Sequence, residues 1–340
     1  MADKLFVRSV FDGKSILVTG GTGSFGRAFT AAVLERARPE RLVIFSRDEL
    51  KQSEMAQRWD APCIRYFIGD VRDERRLTQA MSGIDFVVHA AALKQVPAAE
   101  YNPSECIRTN VDGAANVIAA ALANGVTRVV ALSTDKAVSP VNLYGATKLL
   151  SDKLFVAANN TVGRHPTRFA VVRYGNVVGS RGSVLPFFRK LIAEGARELP
   201  ITDERMTRFW ISLDRGVEFV TQAFERMRGG EIFVPKIPSI RITDLARSLA
   251  PDLPLKVVGI RPGEKLHESM VPRDESYLTL EFGDHYVIRP SISFFTSVDH
   301  ATDVTGESGT CVPDGFEYNS GTNQHFLELP EIAALNAAVT

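Results

Sequence analysis

Two groups of residues in this chain have the types and spacing to do chemistry. One is Ser133-Thr134-Asp135-Lys136, followed by Asn142-Leu143-Tyr144-Gly145-Ala146-Thr147-Lys148. Tyr144 and Lys148 are four apart, so on a helix they share a face. A tyrosine with an ordinary pKa near 10 is a poor base at neutral pH, but an adjacent ammonium favours its phenolate. A YxxxK pair alone is common by chance; here it follows a strand-end Thr-Asp-Lys, which argues against an ordinary surface helix. The other group is Gly20-Gly21-Thr22-Gly23-Ser24-Phe25-Gly26, with glycines at 20, 23 and 26 between an apolar run and a helical one. A tight turn, close backbone approach to a pyrophosphate and close helix–strand packing all call for glycine there. The helix N-terminus then offers unpaired N–H groups and a positive dipole end to phosphate.

About twenty residues after the glycine loop, an acidic residue would bind the ribose of NAD. The run here is Ser46-Arg47-Asp48-Glu49-Leu50-Lys51. Ser46 and Arg47 come first and offer a hydroxyl and a guanidinium to a 2′-phosphate, which favours NADP. The alternative is Asp48 on a free ribose, with Arg47 a solvated charge. Asp70 and Val71 follow the third apolar run and are placed to contact adenine. Ala90 and Lys94 follow the fourth, close to the expected cofactor path.

The elements that must hold these groups are an alternation. Short apolar runs at Ser15–Thr19, Arg41–Phe45, Ile64–Ile68, Phe86–His89, Arg128–Leu132 and Phe169–Arg173 read as strands. Arg27–Ala37, Glu74–Met81 and Asn110–Ala123 between them read as helices. Continuous apolar strands interleaved with helices predict a parallel sheet covered on both faces, an α/β doubly wound Rossmann-type fold. After Gly179 prolines punctuate the chain, with helical stretches at Val184–Glu194, Leu213–Met227 and Ile242–Leu249. The expected division is therefore mainly 1–180 for the dinucleotide-binding domain and mainly 181–290 for a smaller C-terminal substrate-binding lobe. Residues 291–340 form a loop-rich tail.

Composition sets bounds. The 340 residues are 45% hydrophobic and 24% charged, as in ordinary globular proteins. Forty Lys and Arg balance forty Asp and Glu, so no overall field favours nucleic acid. No stretch reaches the roughly 18 apolar residues of a spanning helix, and the first fourteen residues lack an uninterrupted apolar segment. Cys63, Cys106 and Cys311 are far apart and not in metal-ligand spacing, and no histidine lies in a HExxH pattern. These features point to a cytoplasmic, metal-free protein with no membrane partner.

The segments GGTGSFG, FSRDELK, GDVRDERRL, HAAALKQVP, ALSTDKAVSPVNLYGATK, VVRYGNVVGSRGSV, ITDERMTRFW, EIFVPKIPS and GIRPGEKLHE together resemble the extended short-chain dehydrogenase/reductase superfamily. Within it the chain is similar, over nearly its whole length, to the inverting UDP-N-acetylglucosamine 4,6-dehydratases that begin pseudaminic acid biosynthesis. The resemblance implies a recycled NADP that takes hydride from sugar C4 and returns it to C6 after water leaves across C5–C6. It implies that Tyr144 handles the C4 hydroxyl proton, with Lys148 supporting it and holding the nicotinamide ribose. Asp135 would protonate the departing C6 hydroxyl and Lys136 would take the C5 proton. Ordinary sugar-nucleotide 4,6-dehydratases have Asp-Glu where this chain has Asp135-Lys136. A lysine base must first lose its proton, which desolvation or neighbouring positive charge would favour; the plainer reading makes Lys136 a phosphate anchor.

The same resemblance places Asn176 on the diphosphate, Val177, Val178, Gly179, Ser180 and Arg181 beside the nicotinamide, and Val184 and Thr202 near uridine. Arg261 and Glu264 supply a phosphate fork and a hydroxyl acceptor, and Lys94 touches cofactor and sugar together. It also implies a homo-oligomer, a hexamer. Two other functions compete. A UDP-sugar 4-epimerase needs Tyr144 and Lys148 but has no use for Asp135-Lys136. A noncatalytic NADP-binding regulator would be expected to have lost Tyr144 or Lys148.

Overall fold

The computed structural model describes residues 9–180, 182–292 and 298–338. Six strands fall on the apolar runs: β1 (Ser15–Thr19), β2 (Arg41–Ser46), β3 (Ile64–Ile68), β4 (Phe86–His89), β5 (Arg128–Thr134) and β6 (Arg168–Tyr174). They pair in parallel in the order 3-2-1-4-5-6. In this doubly wound Rossmann-type order, the reversal between β1 and β4 opens a crevice at the strands' carboxyl ends. Ile16, Leu17, Val18, Val129 and Val130 are fully buried, because helices cover both faces of the sheet.

Helices α1 (Ser24–Arg36), α2 (Glu49–Arg58) and α3 (Glu74–Ala80) return the chain between these strands. Asp48 caps α2 by accepting from Lys51 N at 3.0 Å, and Asp73 caps α3 by accepting from Arg76 N at 2.9 Å. At the start of α1 stands Gly23, with no side-chain cap. That helix begins at Ser24 and not at Arg27, so Gly26 is already helical.

The main sheet does not end at β6. Ile232–Pro235 adds in parallel beside it, and His285–Ile288, Thr279–Glu281 and Thr310–Cys311 extend it antiparallel to ten strands. Residues beyond 180 thus return to the first layer. The helix Leu213–Arg226, expected in the smaller lobe, also belongs there: it buries Val217, Val220 and Phe224 on one face. Phe224 packs 5.5 Å from Phe11 and 5.4 Å from Phe86, ring to ring.

A second, smaller core gathers Leu185 and Phe188, Leu199 and Ile201, Trp210, Ile240 and Leu245, and finally Leu327 and Ile332. The last of these lies on the helix Leu329–Ala337, opened by a Glu328/Glu331 capping box. That helix falls within the stretch read from sequence as loops, and it packs on the helix Ile242–Leu249. The chain passes from one core to the other just beyond β6. Gly175 leads into the short strand Asn176–Val177, which pairs with Thr207–Ile211 of a separate three-stranded sheet. Among the described residues no helix is long and apolar enough to cross a membrane.

Candidate active site

The glycine loop sits at the strand-order reversal. Gly20 has φ +63°, and a Cβ there would lie 2.9 Å from the backbone of Ala91, just past β4. A Cβ on Gly26 would lie 2.3 Å from the Gly21 carbonyl oxygen. Neither position tolerates a side chain, whereas Gly23 is exposed and meets only the Gly20 carbonyl. Thr22 is buried, and its carbonyl accepts from Arg27 Nε. The uncapped first turn of α1, at Ser24 and Phe25, leaves backbone N–H groups for an anion. Cradle and helix end together fit the pyrophosphate of a dinucleotide.

At the end of β2, Ser46 is buried, and its hydroxyl accepts from Gln52 Nε2 at 3.1 Å. The half-exposed Arg47 guanidinium lies 3.4 Å from Asp70. Asp48 is partly exposed, caps α2 and pairs with Lys51. Glu49, Leu50 and Lys51 form the first turn of α2, with Glu49 and Leu50 exposed. Asp70 also receives Arg72 at 2.6 Å; burial opposes its charge, but the hydrogen bonds and charges of Arg72 and Arg47 leave its pKa below the usual range. Val71 is buried beside it. Ala90 N and Ala91 N both donate to Thr19 Oγ1, at 3.1 and 3.3 Å. Lys94 is exposed, and its neighbour Leu93 is clamped by Asn110, which exchanges two hydrogen bonds with the Leu93 backbone and reaches Thr147 Oγ1 at 3.0 Å.

The acid–base group forms where β5 ends. Thr134 caps a single turn, Asp135–Ala137, and donates to Asp135 Oδ1 at 3.0 Å. Asp135 is fully buried, and its Oδ2 has no hydrogen-bond partner among the described residues. Lys136 Nζ lies 3.1 Å from Asp135 Oδ1 and 3.2 Å from Glu268 Oε1. Burial, aided by the Glu268 charge, raises the Asp135 pKa against the pull of Lys136. For Lys136 burial favours the neutral amine, but the two carboxylates outweigh it and hold the ammonium more firmly than in free lysine. This reverses the expectation that desolvation or a neighbouring cation frees the Lys136 amine: its nearest neighbours are anions.

Tyr144 and Lys148 lie in the first turns of the helix Leu143–Ala158, with Asn142 as cap accepting from Gly145 N at 2.8 Å. Burial pushes the Tyr144 phenol up to about 12, and the largest opposing influence is Lys136. The expected phenolate beside Lys148 is therefore not the resting state. Lys148 is buried, which lowers its pKa, with Asp152 opposing.

The substrate-side residues are only partly gathered. Thr202 Oγ1 donates to Glu264 Oε2 at 3.3 Å. Asn142 Nδ2 donates to the Gly263 carbonyl at 2.8 Å, docking the Arg261–Glu264 turn onto the start of the Tyr144 helix. Asn176 Oδ1 is buried without a hydrogen-bond partner among the described residues. Val177 pairs with Ile211, Val178 lies in the second core, and Gly179 and Ser180 turn towards the helix that Val184 begins. Arg261 is exposed on its turn. Arg181 lies outside the described residues. Glu268 and Asn110 were not singled out from sequence, since neither stands in a motif whose spacing betrays its partner. Elsewhere, Asp284, His285 and Glu307 approach one another, but Asp284 is already engaged by Arg226 at 3.1 Å.

Residues 16–290 match the profile of a family described as polysaccharide biosynthesis protein. Two proteins of Campylobacter jejuni named UDP-N-acetylglucosamine 4,6-dehydratase (inverting) are 64% and 61% identical to this chain. The alignments cover 92% and 95% of it, and 94% and 97% of them. A UDP-glucose 4-epimerase of Rickettsia canadensis is 45% identical over 82% of the chain and 84% of its own length. Among solved structures, Pen from Bacillus thuringiensis superposes with TM-score 0.87 at 35% identity, covering 97% of this chain and all of Pen. DesIV, a dTDP-glucose 4,6-dehydratase from Streptomyces venezuelae solved with NAD bound, gives TM-score 0.67 at 25% identity over 74% of this chain and 86% of its own.

Proposed function

From the premise that this chain belongs to the polysaccharide biosynthesis protein family, of the extended short-chain dehydrogenase/reductase type, we propose that it is an inverting UDP-N-acetylglucosamine 4,6-dehydratase. The observation that carries this reading is the buried Asp135 in direct contact with Lys136, beside Tyr144. The product would be UDP-2-acetamido-2,6-dideoxy-β-L-arabino-hex-4-ulose, the first intermediate of pseudaminic acid biosynthesis. A nicotinamide cofactor, when bound, supplies the hydride acceptor for C4 and the donor for C6. Arg47, half-exposed beside the buried Ser46, supports NADP; Asp48, engaged as the α2 cap and by Lys51, offers less to a free ribose.

Tyr144, once its phenol has given its own proton to solvent, receives the C4 hydroxyl proton, and the Lys136 charge lowers the cost of that phenolate. Elimination then needs an acid at C6 and a base at C5. One proton moved from Lys136 to Asp135 across their 3.1 Å contact creates both, a carboxylic acid and a neutral amine. Asp135 gives its proton to the C6 oxygen, the C6–O bond breaks and water leaves. Lys136 takes the C5 proton, and the C5=C6 double bond forms. The pair ends as carboxylate and ammonium, as it began. The nicotinamide, when bound, would supply the hydride for C6, and C5 would take a proton from solvent on the opposite face, giving the inversion.

NMR of UDP-N-acetylglucosamine turned over in deuterated water tests this. Deuterium at C5, a C6 methyl carrying the hydride from C4, and the L-arabino configuration are expected. The Rickettsia relative's name supports one rival, 4-epimerisation; a C4 epimer still hydroxylated at C6, or a D-xylo product, would displace the dehydratase reading. A noncatalytic regulator has no use for the intact Tyr144, Lys148 and Asp135-Lys136 set. Assembly as a homo-oligomer, a hexamer, belongs to the same reading, and light scattering that finds a fully active monomer would remove it.

A further inference from the structure

We propose that Glu268 is a positioning residue for elimination, acting through Lys136 as the third member of a buried relay, Asp135–Lys136–Glu268. The proposal rests on the dehydratase reading above. Glu268 is 2% exposed, with Oε1 3.2 Å from Lys136 Nζ. Its backbone is pinned on both sides: Glu268 N donates to Ser320 Oγ at 2.9 Å, and Ser320 N donates to the Glu268 carbonyl at 2.8 Å. Its other oxygen, Oε2, has no hydrogen-bond partner among the described residues, with the Lys265 ammonium at 3.7 Å. Arg208 fixes the same segment by donating to the carbonyls of Lys265 and Leu266 at 3.0 and 3.1 Å. The charged and titratable groups around the relay are thus Lys265, Arg208 and Tyr144.

A buried carboxylate with an unpartnered oxygen is a poor device for stability, because desolvation offsets most of what an ion pair returns. It is a good device for aiming an amine. Once Asp135 holds the shared proton, the Lys136 amine has two N–H bonds and one lone pair. That lone pair first faces the proton given to Asp135; with one N–H held on Glu268, rotation about Cε–Nζ turns it to the C5 proton as Asp135 turns its own to the C6 oxygen. When that proton arrives, the Glu268 charge stabilises the new ammonium, as the carboxylate of a Ser-His-Asp triad stabilises its imidazolium.

Glu268→Gln keeps the shape and removes the charge. We expect product formation and C5 deuterium incorporation to fall about 100-fold, while UDP-N-acetylglucosamine still reduces the bound nicotinamide at the unaltered rate. The rising limb of the pH–rate profile, where the fully protonated pair loses one proton to solvent, should move to lower pH, since losing an anionic neighbour lowers the proton affinity of the pair. Glu268→Asp, which keeps the charge and retracts it by one methylene, carries the same test if the amide variant does not fold. It should slow elimination about tenfold with C4 oxidation unchanged. Product formation within threefold of the unaltered enzyme and an unmoved limb overturn the proposal. So does an equal loss of C4 oxidation and elimination, which would make Glu268 merely structural. If the unaltered protein does not dehydrate UDP-N-acetylglucosamine in the same assay, the functional reading itself fails and takes this relay with it.

Discussion

The cofactor side and the acid–base side of this site are built in opposite ways. The cofactor side is backbone: four glycines among the seven residues from Gly20 to Gly26 make a cradle because they lack side chains, and an uncapped helix end would do the binding. The acid–base side is side chain: the neighbours Asp135 and Lys136, the first buried and the second partly so, meet the buried Glu268 from far along the chain. The first arrangement is local and tolerates any chemistry placed beside it. The second is long-range, and every member changes the proton affinity of the others. Variants should therefore separate the two sides cleanly, one losing chemistry with binding intact and the other losing binding first.

The largest separation is expected at the acid–base pair. Lys136→Ala and Asp135→Asn should each lower dehydration by about 10³-fold while NADP binding stays within about threefold, since neither residue holds the pyrophosphate in this reading. Kinetics paired with cofactor titration check this, and parallel loss of both quantities would merge the two sides. Next comes the cradle. Gly20→Val combines a positive φ with a Cβ 2.9 Å from Ala91, so cofactor affinity should fall more than tenfold, with a lost hydrogen bond or two to phosphate worth about 1.5–3 kcal/mol each. Calorimetric titration reads that loss, and unchanged affinity would place the pyrophosphate elsewhere.

This difference in construction also decided what sequence could disclose. The cradle, Tyr144 with Lys148, and strands β1 to β6 are legible because each depends on neighbours within a few residues. The start of α1 at Ser24 was hidden because glycines that make the cradle also enter the helix. The return of Ile232–Pro235 and His285–Ile288 to the main sheet depends on pairing, which short apolar runs among prolines do not reveal. Glu268 has no local signature: its role exists only because Ser320 and Arg208 hold its segment against β5's end. The Lys136 charge state is legible only in part: Asp135, the stronger of the two anions that hold the ammonium, is its sequence neighbour, but Glu268 lies far along the chain.

Smaller effects sharpen the cofactor side. Arg47→Glu should weaken NADP by about tenfold or more, as expected for a charge-assisted contact, and leave NAD nearly unchanged. Equal affinity of the unaltered protein for both would refute the NADP assignment. Beneath the cradle, Thr19 Oγ1 accepts from Ala90 and Ala91, so its own proton goes to His89 Nδ1 at 2.9 Å and the ring's proton sits on Nε2. Burial, with the Lys148 charge, depresses the His89 pKa to about 3. Below about pH 6.5 the unfolded chain binds a proton that the folded one refuses, so stability falls as pH drops from there towards 3. The slope is up to about 1.4 kcal/mol per pH unit. His89→Gln should lose that component, seen as a smaller difference between urea midpoints at pH 5 and 7; an unchanged difference would show that His89 is not buried neutral.

The smallest expected effect falls where the two sides meet. Asn142 does two things with one side chain: Oδ1 accepts from Gly145 N at 2.8 Å, and Nδ2 donates to the Gly263 carbonyl at 2.8 Å. The first bond starts the helix that carries Tyr144 and Lys148. The second fastens the Arg261–Glu264 turn, where Gly263 has φ +81° and comes close enough that a Cβ would meet Asn142 Cβ at 3.1 Å. Asn142→Asp should preserve the cap and lose the donor, whereas Asn142→Ala loses both. Stability should therefore fall by about 1 kcal/mol in the alanine variant and by less in the aspartate one, as thermal melts would show. In both variants the turn is released, so KM for the UDP-sugar should rise severalfold while NADP affinity holds. If KM rises only in the alanine variant, the cap and not the tether governs substrate binding, and the Arg261–Glu264 turn is independent of the catalytic helix.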